Sequence, residues 1–316
     1  MAQKCVHLAQ TWRWKCVHQR VTTHLDIVPS ITEGGALLRG DSPPLHKPFE
    51  TGCFVASRHD QVNGAVTACC GFQFPFKLPA ENIIVVKCLL FRNGGCEFQD
   101  IHYNLYVPDS YDGSRPYALF FTLPGYEGLY FQGVGENLYS ENFGFEAQNY
   151  VQDMIIVAPQ LSDWGETSAD QTIALMEYFL ENYNIDEDRV FGEGYSGGGE
   201  TMSLVMGKRP ELFTAYLQCS SQWDGDYEPV VESRTPVYFV IGQDDEYYGS
   251  EPTREAYDTL HDMYRNEGLD EKEIDELLVL DIKDAGYFGS QGVTVQHGRG
   301  VLFARDSEIM GWLFDR

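Results

Sequence analysis

Val190-Phe191-Gly192-Glu193-Gly194-Tyr195-Ser196-Gly197-Gly198-Gly199-Glu200 is the stretch on which the fold turns. Apolar Val190 and Phe191 enter a glycine cluster, and Glu200 to Met206 then reads as helix, so the segment is strand, sharp turn, helix. Gly194-x-Ser196-x-Gly198 puts a serine at the apex of that turn. A serine raised there needs neighbours without bulk two residues before and two after, so that strand and helix can approach closely. The start of the helix then aims backbone N–H groups at an oxyanion forming beside the serine. The same residues also spell Gly192-x-Gly194-x-x-Gly197, a dinucleotide fingerprint. That motif wants an acid at the end of the next strand to hold a ribose. Here the next strand ends Gln218-Cys219-Ser220-Ser221, with no acid before Asp224, and at least two strands precede the motif. The dinucleotide reading is therefore set aside. A glycine-rich turn without chemistry stays open until partners for Ser196 are found.

Working outward, strand and helix patterns alternate. Tyr103 to Val107 alternates and stops at Pro108; Tyr117 to Leu123 and Met154 to Ala158 are near-continuous apolar runs. Ala169 to Tyr183 has helical spacing. Ala215 to Cys219, Val237 to Ile241 and Leu277 to Leu280 are further buried-strand candidates. Continuous apolar strands separated by helices point to an α/β fold with a mostly parallel sheet covered on both faces.

A nucleophilic serine needs a base, and the base needs an orienting carboxylate. Val237 to Ile241 is followed by Gly242-Gln243-Asp244-Asp245-Glu246, an acidic cluster at a strand end. Only His102, His261 and His297 lie beyond residue 100. His102 precedes the serine beside a strand. His261 falls on the helical pattern Arg254 to Tyr264, suggesting an exposed face. His297 sits in the glycine-flanked loop Gln296-His297-Gly298-Arg299-Gly300, where a base is expected. Asp244 and Glu246 read as solvated loop charges.

The elbow, the strand-end acid and the late histidine resemble the α/β-hydrolase superfamily. Within it the chain is similar to prolyl-oligopeptidase-like and polyhydroxybutyrate-depolymerase-like esterases. Tyr103-Asn104-Leu105-Tyr106-Val107-Pro108, followed by Ser110-Tyr111-Asp112, looks like the opening strands of feruloyl esterases and depolymerases. Thr122-Leu123-Pro124-Gly125-Tyr126 stands where many relatives carry His-Gly; its Pro-Gly-Tyr resembles cutinases and polyester hydrolases instead. The resemblance implies the chain order Ser196, Asp245, His297, with the acid three residues after Gly242 favoured over Asp244. It implies an oxyanion hole from the backbone N–H groups of Tyr126 and Gly197. It also implies substrate-binding aromatics: Tyr126, Tyr195, Trp223 in the short loop after Ser220, and Trp164. Each ring has the plain alternative of packing on the protein. About fifteen residues separate Ser220 from Pro236, too few for the helical cap that many lipases insert there.

Composition bounds the rest. The 316 residues carry a net charge of −26, a field that repels nucleic acid and anionic membrane surfaces. Residues 1–100 hold 10 of the 22 basic residues but only 8 of the 48 acidic ones. Seven cysteines fall in the first 96 residues and only Cys219 beyond. No zinc-ligand spacing occurs, so neither metal nor cofactor is expected. The expected organisation is an accessory segment over 1–95, β-rich or irregular, and a catalytic domain over 96–316. Neither a signal peptide nor an 18-residue apolar run is visible. A cytoplasmic protein is expected, or a secreted one if a signal precedes this sequence; the oligomeric state is left open. The expected activity is a serine-dependent carboxylic-ester hydrolase forming an acyl-enzyme, on small-molecule or polymeric esters of feruloyl or polyester type. A prolyl-oligopeptidase-like serine peptidase and a non-catalytic hydrolase-fold binding protein are the alternatives.

Overall fold

The structure is a computed structural model. It describes residues 84–92 and 95–99 as strand backbone, and residues 100–126, 141–162 and 165–316 in full. All of these fall within one compact unit. The accessory-segment expectation for 1–95 lies outside the described residues, apart from one strand.

That strand, β1 (Ile84–Arg92), pairs antiparallel with β2 (Gly95–Tyr106). β2 in turn runs antiparallel to β4 (Met154–Gln160). The remaining pairs are all parallel, linking β4 to β3 (Tyr117–Leu123), β5 (Ile185–Tyr195), β6 (Ala215–Cys219), β7 (Val237–Gly242) and β8 (Leu278–Lys283). The order across the eight-stranded sheet is β1-β2-β4-β3-β5-β6-β7-β8.

Every residue of β3, β6 and β7 is buried, which is why these strands read as unbroken apolar runs. β5 behaves differently. Ile185 pairs with Tyr117 while Val190 pairs with Leu119, so Asp186 to Arg189 sit opposite Ala118 alone. This irregularity lets a polar stretch stand at the start of a central strand, and the buried part begins only at Val190.

The helices among the described residues are, in chain order, α1 (Phe143–Glu146), α2 (Glu166–Asn182), α3 (Gly197–Met206), α4 (Glu228–Ser233), α5 (Glu251–Asn266), α6 (Glu271–Leu277), α7 (Ala285–Gly289), α8 (Gly300–Ala304) and α9 (Ser307–Phe314). α2 and α3 pack together, and α2 buries Leu175, Met176 and Phe179 in the main core with Leu119, Phe121 and Val157 of the sheet. Only the six-residue α4 intervenes between β6 and β7, so no cap is inserted there.

In sequence β3 precedes β4, yet in the sheet it lies between β4 and β5. The chain therefore leaves β3 toward one side and β5 toward the other. Such a reversal opens a crevice at the carboxyl ends of the strands. Leu123 to Tyr126, Ser196 and the loop after Gly242 all leave the sheet at that edge.

Candidate active site

Ser196 follows the last residue of β5 and caps α3 with φ of 54° and ψ of −122°. A non-glycine residue there is strained, and the surroundings must hold it. The Ser196 N–H donates to the Cys219 carbonyl at 2.9 Å, and the Ser221 hydroxyl donates to the Ser196 carbonyl at 2.7 Å. The flanking glycines have the steric cause expected of them. A Cβ on Gly194 would lie 2.7 Å from the Gly198 oxygen, and one on Gly198 would overlap the Leu123 carbonyl.

The structure brings Ser196, His297 and Asp245 into one hydrogen-bonded line. Ser196 Oγ is 3.0 Å from His297 Nε2, and His297 Nδ1 is 2.9 Å from Asp245 Oδ2. The Asp245 side chain is fully buried, and its Oδ1 also accepts the N–H groups of Tyr247 at 3.0 Å and Tyr248 at 2.9 Å. A carboxylate fixed by two backbone donors cannot turn away from the imidazole. Asp244 is exposed; its N–H, not its carboxylate, takes part, donating to Gln296 Oε1 at 2.9 Å.

Three interactions hold the His297 loop. The Glu246 carboxylate accepts the N–H of Gln296 at 2.9 Å and of His297 at 3.0 Å. The Tyr195 hydroxyl donates to the His297 carbonyl. Gly242 leaves room for Gln296, because a Cβ there would sit 2.8 Å from the Gln296 Cβ. Glu246 is exposed, as its position suggested, yet its carboxylate also holds this loop. No sequence signal marks it, since the contact spans fifty residues. His102 is exposed on β2, and His261 pairs with Glu271 at 3.1 Å; neither approaches Ser196 through these contacts.

The aromatic expectations divide. Tyr126 is 43% exposed and follows Gly125, whose Cβ, if present, would be 3.8 Å from the Ser196 Cβ. Tyr195 is buried and points inward, its ring stacked 5.8 Å from His297, so it braces the histidine rather than lining a cleft. Trp223 is corrected as well. Its ring lies in the core, stacked on Tyr227 at 5.8 Å and against Tyr216 and Phe239, and its indole N–H donates to the Gly225 carbonyl at 2.9 Å. An indole with its apolar faces covered and its donor satisfied has nothing left to offer a substrate. Trp164 lies outside the described residues.

Three acids near the elbow titrate high because burial disfavours their charge. Glu193, fully buried, has its carboxyl raised well above the usual range, although the Thr122 hydroxyl donates to it at 2.7 Å. Glu141, whose carboxyl faces the Gly125 N–H, is pushed up to about 7. Burial likewise raises Glu200, in the first turn of α3, against the donation it receives from Tyr248. Sequence reading missed all three, because nothing in a local pattern distinguishes a buried acid from a solvated one. Among the described residues no group of three or more His, Cys, Asp or Glu is placed to hold a metal ion.

The parallel sheet, the strained serine at its edge and the similarity to solved structures agree on one architecture. The chain has the α/β-hydrolase fold. It is similar to a solved thermostable esterase at a TM-score of 0.57 and 21% identity, over 73% of this chain and 62% of that one. The signature of the prolyl oligopeptidase family matches residues 160–265, the segment from the end of β4 through the elbow to α5. Feruloyl esterase C of Emericella nidulans is 29% identical over 147 residues, 44% of this chain and 54% of the relative. A protein named probable feruloyl esterase C from Aspergillus niger is 28% identical over 146 residues, with the same coverage. The chain thus spans about half the length of the curated relatives it matches. No helix among the described residues is long and apolar enough to cross a membrane.

Proposed function

We propose that this hydrolase-fold chain is a serine carboxylic-ester hydrolase working through an acyl-enzyme, with Ser196 as nucleophile, His297 as general base and Asp245 as the carboxylate that orients it. The observation that carries the reading is the continuous line from Ser196 Oγ through both His297 nitrogens to Asp245. His297 Nε2 takes the serine proton as Oγ attacks the ester carbonyl, while Asp245 holds Nδ1–H and supports the imidazolium. The oxyanion falls to the backbone N–H groups of Tyr126 and Gly197. The second belongs to the first residue of α3, where the helix N-terminus favours negative charge. His297 then protonates the departing alkoxide. It next activates water to cleave the acyl-enzyme.

The feruloyl esterase relatives favour aromatic acyl esters, and exposed Tyr126 beside the elbow supplies a ring against which such an acyl group would lie. Polyesters remain within the proposal on the strength of Pro124-Gly125-Tyr126 alone. A secreted location accords with action on polymeric esters, and a cytoplasmic one with small soluble esters; the substrate proposal leaves both open. A second reading, a serine peptidase, draws on the prolyl oligopeptidase signature over 160–265.

One panel separates these readings. The wild type should be labelled by a fluorophosphonate and should cleave p-nitrophenyl acetate, butyrate and benzoate. Ser196→Ala should lose both, with turnover down on the order of 10⁴-fold or more. Cleavage of p-nitroanilide peptides in preference to the esters would favour the peptidase. Full activity of Ser196→Ala would remove the proposal.

A further inference from the structure

Among the described residues four large apolar side chains are exposed: Tyr126, Tyr150, Tyr247 and Val295. Three of them belong to the loops that carry the candidate site. Tyr126 follows Gly125 beside Ser196. Tyr247 stands two residues after Asp245, and Val295 two residues before His297. Tyr247 is the most open of them, at 71% exposed, yet its ring is held. It stacks on the His297 imidazole, with centroids 5.2 Å apart and planes at 28°, and meets the Tyr248 ring nearly edge-on at 4.7 Å. Its backbone N–H is fixed on Asp245 Oδ1 at 3.0 Å. Glu246 brings Val295 to the same rim. Its carboxylate accepts the N–H of Gln296 at 2.9 Å, and the residues flanking that bond are Tyr247 and Val295.

We propose that Tyr247, with Val295 beside it, forms a subsite for the alcohol half of the ester and selects alcohols that carry a flat apolar ring. The proposal rests on the functional reading given above and deepens it.

The chemistry decides which half of the ester meets Tyr247. The acyl half becomes bonded to Ser196, and its carbonyl oxygen turns to the N–H groups of Tyr126 and Gly197. The alcohol oxygen takes its proton from His297 Nε2. That transfer needs a separation of about 3 Å, so the departing oxygen lies against the edge of the imidazole. Whatever the oxygen carries then lies beside His297. A ring stacked on His297 is a neighbour of the alcohol, as Tyr126 is a neighbour of the acyl group.

The selectivity comes from a ring that is ordered before substrate arrives. A side chain that a ligand must first immobilise loses rotamer freedom, and this weakens binding. Tyr247 is already fixed by two aromatic contacts and a bonded backbone, while most of its surface stays in water. A flat apolar group laid on it removes that surface from water and adds ring-to-ring contact. A short alkyl alcohol covers little of it and gains little.

Ethyl and benzyl butyrate form one acyl-enzyme and differ only in the alcohol. The benzyl-to-ethyl ratio of kcat/KM reports acylation, the step in which the alcohol is still attached. Tyr247→Ala keeps the N–H to Asp245 and removes the ring. The ratio should fall roughly tenfold in Tyr247→Ala and stay at the wild-type value in Tyr247→Phe, because stacking needs the ring and not the hydroxyl. The ratio of p-nitrophenyl benzoate to acetate, which varies the acyl half, should hold within about twofold. A second measurement is independent of how much of the variant is folded. The butyryl-enzyme formed from p-nitrophenyl butyrate is offered benzyl alcohol and ethanol together, and the two product esters are quantified. In each transfer the alcohol oxygen bonds to the acyl carbon, its proton passes through His297 to Ser196 Oγ, and the bond from Oγ to the acyl carbon breaks. This is acylation run backwards through the same transition state, so the product ratio should fall by the same factor. Equal slowing on both butyrates would mean that the ring only braces His297 and would overturn the proposal. An equal fall in the benzoate-to-acetate ratio would also overturn it. Unchanged alcohol ratios in Tyr247→Ala, with Ser196→Ala inactive, would sink this inference alone; turnover retained in Ser196→Ala would sink the functional reading beneath it.

Discussion

Glu246 grips the loop of His297 by its backbone: one carboxylate oxygen accepts the N–H of Gln296 at 2.9 Å and the N–H of His297 at 3.0 Å. Its neighbour Asp245 meanwhile binds the ring of the same histidine. Adjacent acids in one strand-end turn thus divide the work, one fixing the loop and the other the imidazole.

This division makes three adjacent acids distinguishable. Asp245→Asn should cost on the order of 10⁴-fold in kcat, because the wrong tautomer is favoured and the imidazolium loses its partner. Asp244→Asn, which changes only an exposed side chain, should stay within a few-fold of wild type. Glu246→Ala should fall between them, up to roughly 10²-fold, since a loosened loop displaces the base by a fraction of an ångström. Steady-state kinetics on p-nitrophenyl butyrate measure all three. Equal effects of the Asp244 and Asp245 substitutions would show that the geometry around His297 is not the working one.

Trp223→Ala should act on stability, not on substrate choice. Removing an indole packed on Tyr227, Tyr216 and Phe239 leaves a cavity, and such changes cost about 3–5 kcal/mol. Denaturant unfolding should show that loss. The ratio of rates on acetate, butyrate and benzoate esters should stay as in wild type at a temperature where the variant is folded. A selective loss on benzoate would return Trp223 to the cleft.

Glu141 predicts a pH effect with a definite sign. Its carboxyl is raised from the unfolded value near 4.5 to about 7 by burial. Below pH 4.5 both folded and unfolded chains carry the proton. Between 4.5 and 7 the folded chain holds a proton that the unfolded chain has lost, so stability falls as pH rises and is level again above 7. The size is on the order of 3 kcal/mol. In Glu141→Gln this contribution is absent, and the amide oxygen still faces the Gly125 N–H. Urea unfolding at pH 5 and pH 8 should show the variant gaining on the wild type by about that amount at the higher pH. Glu193 is coupled to this titration, because the Glu141 charge is one of the causes that raise its carboxyl, so the difference between variant and wild type reports the pair.

How much of this was legible in the sequence depends on whether the determinant is local. β3 and β6 fall where their apolar runs placed them, because a strand buried on both faces leaves no polar positions. The first half of β5 was invisible, because Asp186-Glu187-Asp188-Arg189 is polar and a register shift, which no composition announces, accommodates it. Asp245 stood out from Asp244 by its offset from Gly242, and that offset reflects a turn: the Asp245 N–H closes back onto the Gly242 carbonyl at 3.2 Å. Trp223 was misplaced because an aromatic residue in a loop beside a cleft can face either way, and here the core had room for it. Tyr248 and Glu200 meet across 48 residues, a distance at which a single sequence carries no signal.

The carbonyl of Cys219 holds the Ser196 N–H, while the thiol of the same residue is sealed in the core with its acidity suppressed by burial. The chain therefore carries a silent reporter one hydrogen bond away from Ser196. While β5 and β6 stay zipped, an alkylating probe has no thiolate to meet there. A breathing motion deep enough to release the elbow exposes that sulfur in the same stroke, so at probe concentrations where capture outpaces reclosing, the rate of reaction at Cys219 is the rate at which the strand pair beneath Ser196 comes apart.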